Sequence, residues 1–469
     1  MSSKKVFIIG CGPSGMGCAY TLAKEKSPFC LIEKDNTCGG LSTTINFSDY
    51  LFDIGGHRFI SKSKEICQLW DDVMGSDMLK VKRLSRIYYK KRYFKYPLRF
   101  CNTFWNLGAV ESFLSVMSYL WCKLTKPGDD NNFKGWIINH FGERLYNIFF
   151  RNYTEKVWSV ACQDISADWA KQRIKGLSLR VAIKNAFFRN NRKEPKTLAN
   201  EFLYPKTGPG EFYHRLKNFS LKSGGVFLFN TLVNSIKHYN NKIVKIGIKD
   251  TVSSEVKELE VDYLFSSMPL PIMLRSLDPA PPEEVLTCAA NLKFRSFLVV
   301  NIILDKRDIF PDQWIYINSP QVKLGRIQNY KNWSPAMAAD LNKTSLGLEY
   351  FCTEGDDLWK MNDVAMIDYA LKELEYLGIA SRKHLINGFV VRYDNAYPVY
   401  SLDYQNNIRI IRNYLAGFSN FQTIGRAGLF RYDNSDHALL TGIYAARNFL
   451  EKKDYDLWNL DPDKDYLEY

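Results

Sequence analysis

Residues 4–9 (Lys-Lys-Val-Phe-Ile-Ile) pass from two cations to four apolar residues and stop at Gly10, the pattern of a short strand buried on both faces. Ser14 to Lys24 carries helical spacing, and Phe29-Cys-Leu-Ile-Glu33 repeats the buried-strand pattern, so the chain opens with a strand–helix–strand unit. Residues 83–98 alternate aromatic and basic positions, which predicts a hairpin with one face packed inward and the other wet. From about 103 to 195 the spacing becomes helical, with many tryptophans and few glycines. Beyond Pro205 strand-like runs take over at Val226 to Asn230, Ile243 to Lys249, Tyr263 to Ser267, Phe297 to Leu304 and Trp314 to Ile317. A last helix is predicted from near Asp436 to about Lys452. The pattern contains no internal repeat. It predicts an α/β chain, α+β overall: a Rossmann-like domain discontinuous in sequence (1–80, 205–270 and 418–469), an inserted helical domain (103–195), and an antiparallel sheet domain that holds the substrate (81–102 and 271–417).

With 469 residues, 46% hydrophobic and 24% charged, the chain is long enough to bury a large core and is neither disordered nor collagenous in composition. The charge sum, 63 − 50 = +13, favours anionic partners. Ten cysteines lie scattered without a C-x-x-C pair or a zinc-like cluster, which predicts no metal and a reducing compartment. No stretch approaches the ~20 apolar residues of a bilayer span. The most apolar helical run, Phe113 to Leu124, is interrupted by Ser115, Ser118 and Lys123. The N-terminus has no signal-peptide core, so a cytoplasmic location without a transmembrane segment is expected.

Gly10-Cys-Gly12-Pro13-Ser14-Gly15 follows a strand and opens a helix. Gly10 permits the turn, Gly12 lets the backbone approach a pyrophosphate, and Gly15 lets helix pack on strand. Glu33 closes the next strand, where a carboxylate accepts the hydroxyls of an adenosine ribose, with Lys34 beside it. Gly39-Gly40-Leu41 and Gly55-Gly56-His57 follow directly; these extra glycine pairs suit a long, bent dinucleotide with a flavin ring, so FAD is read rather than NAD.

Those motifs resemble the flavoprotein superfamily of amine oxidases, protoporphyrinogen oxidases and UDP-galactopyranose mutases, and the mutase branch most of all. Phe150-Arg-Asn-Tyr153-Thr-Glu-Lys156-Val-Trp158 followed by Trp169, Gln313-Trp314-Ile-Tyr316, Gly325-Arg326-Ile-Gln-Asn329-Tyr330, Tyr397-Pro-Val-Tyr400, and the run from Gly425 through Arg431-Tyr432-Asp-Asn434 to His437 carry the resemblance. It implies a redox-neutral mutase working with reduced FAD, whose N5 attacks the anomeric carbon of a UDP-hexose as UDP leaves. An external reductant or NAD(P)H would reduce the flavin. Arg326 and Arg431 would hold the diphosphate, because a guanidinium grips two phosphate oxygens at once. Tyr153, Trp314, Tyr316, Asn329, Tyr397, Tyr432 and Asn434 would line the substrate, Trp158 or Trp169 would wall in the uracil, and His57 would sit beside the flavin N5. Val233, Gly425, Asp436 and His437 are further expected cofactor residues, on this family resemblance rather than on the glycine motifs. An isolated arginine of this kind is more often a surface ion pair, and such tryptophans are as often core residues.

Residues 80–99 carry nine Lys/Arg among tyrosines. A solvated hairpin face bordering an anionic-ligand cleft is preferred to a nucleic-acid surface. Two further readings remain open in the sequence: an oxidase or desaturase of the same fold, and a non-catalytic FAD-stabilised binding protein. The oligomeric state is not legible.

Overall fold

The computed structural model describes residues 4–174 and 201–460. Residues 175–200, which include the end of the predicted helical domain (103–195), lie outside the described residues.

Four apolar residues at the N-terminus form the strand Val6–Ile9, buried along its whole length. It is central to a five-stranded parallel sheet in the order Phe421–Thr423, Tyr263–Ser266, Val6–Ile9, Cys30–Ile32, Val226–Leu228. Burial on both faces explains the unbroken apolar runs. Strands from both ends and the middle of the chain meet here, so this layer is discontinuous in sequence. The run Val226 to Asn230 supplies its edge strand, while Thr231–Tyr239, Lys242–Asp250 and Val256–Glu260 form a separate antiparallel sheet to which Leu277–Asp278 adds in parallel beside Thr231–Tyr239.

Helices Pro13–Lys24 and Ser435–Glu451 pack against each other over the parallel sheet. Glycine makes that approach possible: a Cβ on Gly442 would sit 1.8 Å from Ser14 O, and one on Gly17 would sit 2.3 Å from Leu439 O.

The second large layer is a seven-stranded sheet in the order Leu385–Pro398, Phe294–Leu304, Thr344–Cys352, Arg326–Asn329, Trp314–Ile317, Ser85–Tyr89, Arg92–Lys95. All neighbours are antiparallel except Trp314–Ile317 with Ser85–Tyr89. Residues alternate between two cores: Leu298, Val300 and Ile302 face helix Asp363–Tyr376, while Phe297 and Val299 face the helical region. The predicted hairpin is therefore the edge of this sheet, and both its faces are packed. Tyr88 joins one core and Ile87 and Phe94 the other, and Arg86 is not simply solvated but forms a two-pronged ion pair with fully buried Asp312 (2.8 and 2.5 Å).

Between the hairpin and the 167–174 helix, helices Phe100–Leu107, Ala109–Thr125, Phe133–Phe141 and Asn152–Trp158 build the helical region. Lys156 pins the last of these to the sheet. Its Nζ donates to the carbonyls of Ile317, Ser319 and Leu324 at 2.9–3.1 Å, and burial lowers its pKa to about 8.

Gly442→Ala is expected to force the two long helices apart and cost about 3 kcal/mol, typical of overpacking at a tight contact. Urea unfolding of variant and parent checks this; equal midpoints and slopes would contradict the close approach.

Candidate active site

A cavity of about 790 Å³ opens at the carboxyl ends of the parallel strands and runs between the seven-stranded sheet and the helical region. Such strand ends are where open α/β sheets bind ligands. At its first end, Gly10 has φ +94° and a Cβ there would meet Ser267 Oγ at 2.1 Å, so the turn demands glycine. Nothing lies within 4 Å of where a Gly12 Cβ would be; that backbone faces the cavity directly. Gly40 closes on it, its Cβ position 3.2 Å from Gly12 Cα and 3.3 Å from Tyr393 Oη. Glu33 accepts hydrogen bonds from Cys11 N (2.5 Å) and Asp35 N (3.0 Å), which orient the carboxylate, and each oxygen retains a lone pair. Burial raises its pKa. The N-termini of helices Pro13–Lys24 and Ser435–Glu451 both reach this cavity, through Pro13 and Ser14 on one side and Asn434, Ser435 and Asp436 on the other. Their amides and partial positive charge suit an anionic dinucleotide.

At the other end, Arg326 and Glu349 stand directly opposite each other in adjacent antiparallel strands and pair at 2.5 Å, the carboxylate fully buried. Gln328, two residues on and hence on the same face, donates to Glu349 at 2.7 Å. Arg326 also donates to Tyr397 Oη at 3.2 Å. Burial opposes the charge of Arg326, and the Glu349 carboxylate outweighs it, holding the guanidinium above its ordinary pKa. Tyr397 stacks on Tyr432 with ring centres 5.6 Å apart, and the Arg426 guanidinium lies over both rings at 4.6 and 4.5 Å. Burial pushes the Tyr397 hydroxyl up to about 12, so it is a donor at neutral pH. Trp158 meets Trp169 and Tyr432 edge-on at 5.5 and 5.7 Å. Among the described residues, Arg326 Nε, Arg426 Nε and Nη2, Trp158 Nε1 and Trp169 Nε1 are buried donors without a hydrogen-bond acceptor. Native proteins rarely leave such groups unmade except where a ligand completes them.

Residues 13–448 match the family of flavin containing amine oxidoreductases. The chain belongs to that family. It is therefore a flavin-dependent enzyme of the amine oxidase superfamily, and the glycine cradle, Glu33 and the two helix ends fit a flavin dinucleotide. Among solved structures, a reduced UDP-galactopyranose mutase superposes with a TM-score of 0.84 at 21% identity, covering 99% of this chain and 97% of the other. A protein assigned as a protoporphyrinogen oxidase from Exiguobacterium sp. 255-15 superposes with a TM-score of 0.75 at 17% identity, covering 97% and 100%. In sequence, protoporphyrinogen oxidase 2 (chloroplastic/mitochondrial) of Arabidopsis thaliana is 23% identical over 284 residues, 56% of this chain. The match spans about half (51%) of that curated relative's length.

In this amine oxidoreductase the cavity brings together Gly10, Gly12, Pro13, Ser14, Glu33, Lys34, Gly40, Leu41, Gly55, Gly56, His57, Val233, Asn434 and Asp436 at the dinucleotide end. Tyr153, Trp158, Trp169, Trp314, Tyr316, Arg326, Tyr397 and Tyr432 line the remainder. Six sequence assignments do not line it. Arg431 turns away: it donates to the carbonyls of Trp458 (3.3 Å) and Leu460 (2.7 Å) and lies 3.5 Å from Asp433, tying down the C-terminal segment. Arg426 takes the place expected of it. Asn329 lies on the opposite face of its strand from Arg326 and donates to Phe310 O at 3.3 Å. His437 is one helical step past Asp436, buried 3.8 Å from the carboxylates of Asp433 and Asp436. Gly15, Gly39 and Gly425 stand behind the wall; Cβ atoms at Gly15 and Gly425 would lie 1.8 Å from Gly10 O and 2.2 Å from Ser14 Oγ. Arg426 had a sequence signal, since it sits in the same glycine-rich run as Arg431. Glu349 and Gln328 had none beyond the alternation of their strands.

His57 donates from Nε2 to Ile54 O at 2.9 Å, and burial pushes its pKa down to about 4, so the ring is neutral with Nδ1 unprotonated. The loop carrying it hangs from Asp53, whose carboxylate accepts from Tyr204 (2.5 Å) and Thr44 (2.8 Å) and whose carbonyl accepts from Tyr330 (2.6 Å). Burial raises the Asp53 carboxyl to about 7 despite those donors.

Folded Asp53 keeps a proton that the unfolded chain has released, so its contribution falls as pH rises from 3.8 to about 7. His57 works the other way, losing stability as pH falls from 6.5 towards about 4. The difference between Asp53→Asn and parent therefore isolates the aspartate. Urea titrations across this range are expected to show the variant gaining on the parent by up to about 4 kcal/mol as pH rises; parallel curves would rule out a neutral Asp53.

Proposed function

We propose that this chain is an FAD-dependent nucleotide-sugar mutase that interconverts pyranose and furanose forms of a UDP-hexose. The observation that carries this reading is the pair of buried guanidiniums, Arg326 and Arg426, facing one cavity with the stacked hydroxyl-bearing rings Tyr397 and Tyr432 beside the dinucleotide cradle. An apolar substrate needs no such pair, whereas a leaving diphosphate needs cations and hydroxyl donors at fixed positions.

When bound and reduced, the flavin supplies an electron-rich centre for reaction at the anomeric carbon. An external reductant or NAD(P)H maintains that state. Arg426, which makes no ion pair among the described residues, binds the diphosphate and neutralises charge as UDP departs. Arg326, hydrogen-bonded to the Tyr397 hydroxyl, shares the task. Glu349 and Gln328 fix the plane of Arg326, so its donors need not reorganise during the reaction. Tyr397 donates its hydroxyl to the diphosphate, and Trp158 and Trp169 wall in the uracil and offer their indole N–H groups. Neutral His57, with Nδ1 unprotonated, can accept a hydrogen bond beside the ring without adding charge. The aromatic walls exclude water, which would otherwise hydrolyse the activated sugar.

A second reading, a flavin oxidase of an apolar substrate, draws support from Phe141, Leu145 and Phe149 along the far wall of the same cavity.

Anaerobic incubation with UDP-galactopyranose, followed by chromatography of the isomers, is expected to show interconversion only after dithionite reduction. Failure of both turnover and UDP binding would favour the oxidase. Arg326→Ala and Arg426→Ala are each expected to weaken UDP binding by roughly 10- to 100-fold, the loss of one charge-assisted contact, while retaining yellow flavin. Arg431→Ala is expected to leave UDP affinity unchanged and lower thermal stability. Calorimetry of the three variants checks the assignment; weakened binding only in Arg431→Ala would reverse it.

A further inference from the structure

Helix Ala109–Thr125 is amphipathic in the inverted sense. Its buried positions are Ser112, Ser115, Tyr119 and Cys122, small or polar residues. Its outward positions include Val110, Phe113, Met117, Trp121 and Leu124, of which Phe113, Trp121 and Leu124 are 62%, 66% and 85% exposed. Trp105 on the preceding helix Phe100–Leu107 extends the patch and is 79% exposed. The outward residues recur at helical spacing, so they form one continuous stripe rather than scattered side chains. Soluble surfaces rarely carry such a stripe without a partner.

The rim of the stripe is basic. Strand Arg92–Lys95 runs alongside helix Phe100–Leu107: Lys95 N donates to Asn102 Oδ1 at 2.7 Å, Asn106 Nδ2 to Tyr93 O at 3.2 Å, and Arg92 to Asn106 O. Exposed Lys91, Arg92, Lys95 and Arg99 thus border the Trp105 end, and exposed Lys123 and Lys126 border the Leu124 end. Glu111, the acid within the helix, is engaged by Arg144 at 2.6 Å. Cations stand at both ends of the stripe, so a second copy laid along it in either direction would bring cation against cation. An anionic surface complements them, at about 1 kcal/mol per cation near the headgroups. Tryptophan beside lysine and arginine is also the composition of interfacial helices that lie in the plane of a bilayer. At 17 residues the helix is not long or apolar enough to cross one.

We propose that the stripe from Trp105 to Leu124, with its basic rim, seats this protein on the surface of an anionic lipid bilayer. Large apolar side chains enter the headgroup boundary, and the rim cations meet lipid phosphates. Thr103, on the same helix as Trp105, lines the cavity, so seating brings that cavity wall next to the bilayer.

The test is flotation of the flavin-loaded full chain with phosphatidylcholine–phosphatidylglycerol vesicles, against phosphatidylcholine alone. Binding to the anionic vesicles, a blue shift of tryptophan emission, and weakening by high salt are the expected results. The F113S/W121S pair is expected to bind roughly tenfold or more weakly, having lost two buried aromatic side chains, while keeping its flavin. V252S/V364S, at sites 80% and 79% exposed elsewhere on the surface, is expected to bind as the parent does. Should F113S/W121S fail to fold, K123E/K126E asks the same question through charge and is also expected to weaken binding. No flotation with anionic vesicles, or equal loss in V252S/V364S, would overturn the proposal. So would a dimer in sedimentation velocity that F113S/W121S dissolves while the parent ignores vesicles, which would assign the stripe to a second copy of the chain.

Discussion

The site rests on a close approach of two helices that glycine alone allows. Gly442 touches the backbone at Ser14, and Gly17 touches the backbone at Leu439. A Cβ at either position would push apart the first helix of the chain and the last. Residues at both N-termini line one cavity, within reach of a single anionic ligand. The parallel sheet beneath fixes the remaining distances: Gly10, Glu33 and Ser267 each follow the carboxyl end of a strand. The dinucleotide end of the cavity is therefore a product of backbone geometry, with few side chains involved.

The opposite end is built on different physics. Arg326 and Glu349 form an ion pair with little solvent, and Gln328 occupies a second lone pair of the carboxylate. A pair of this kind is costly to desolvate and contributes little net stability. Its use is positional, since a guanidinium held by a buried carboxylate presents its remaining donors in one fixed plane. Arg426 is held differently, by the faces of Tyr397 and Tyr432, and keeps two donor nitrogens without acceptors. One arginine is oriented by charge and the other by aromatic stacking, and both turn towards the same space. That combination gives one part of the cavity fixed donors, while Phe141, Leu145 and Phe149 keep another part apolar.

The same chain places large apolar side chains outward on helix Ala109–Thr125 and polar ones inward, against the usual rule. Its inner positions, Ser112, Ser115, Tyr119 and Cys122, are already buried against the helical region, so the stripe is not a core that failed to close. The parallel-sheet core, by contrast, is conventional throughout, with Ile8, Leu31 and Phe265 fully buried.

Sequence by itself determined the strand–turn–helix opening with its three spaced glycines, the two glycine pairs that follow, Glu33 and His57, because each answers to a local requirement of backbone conformation or spacing. It also determined that Trp314–Ile317 is a strand and that a long helix ends the fold. It chose Arg431, whereas Arg426, five residues earlier in the same glycine-rich run, is the one that lines the cavity, since which of them faces it depends on how the segment after Phe421–Thr423 turns. Nor could it find Glu349, whose pairing with Arg326 is set by the register of two strands distant in sequence. The hairpin's Arg86 read as solvated until the sheet brought Asp312 beneath it. Local pattern records what each residue needs from its neighbours along the chain. Register, face and burial arise from contacts between distant segments, and these decided which charges meet.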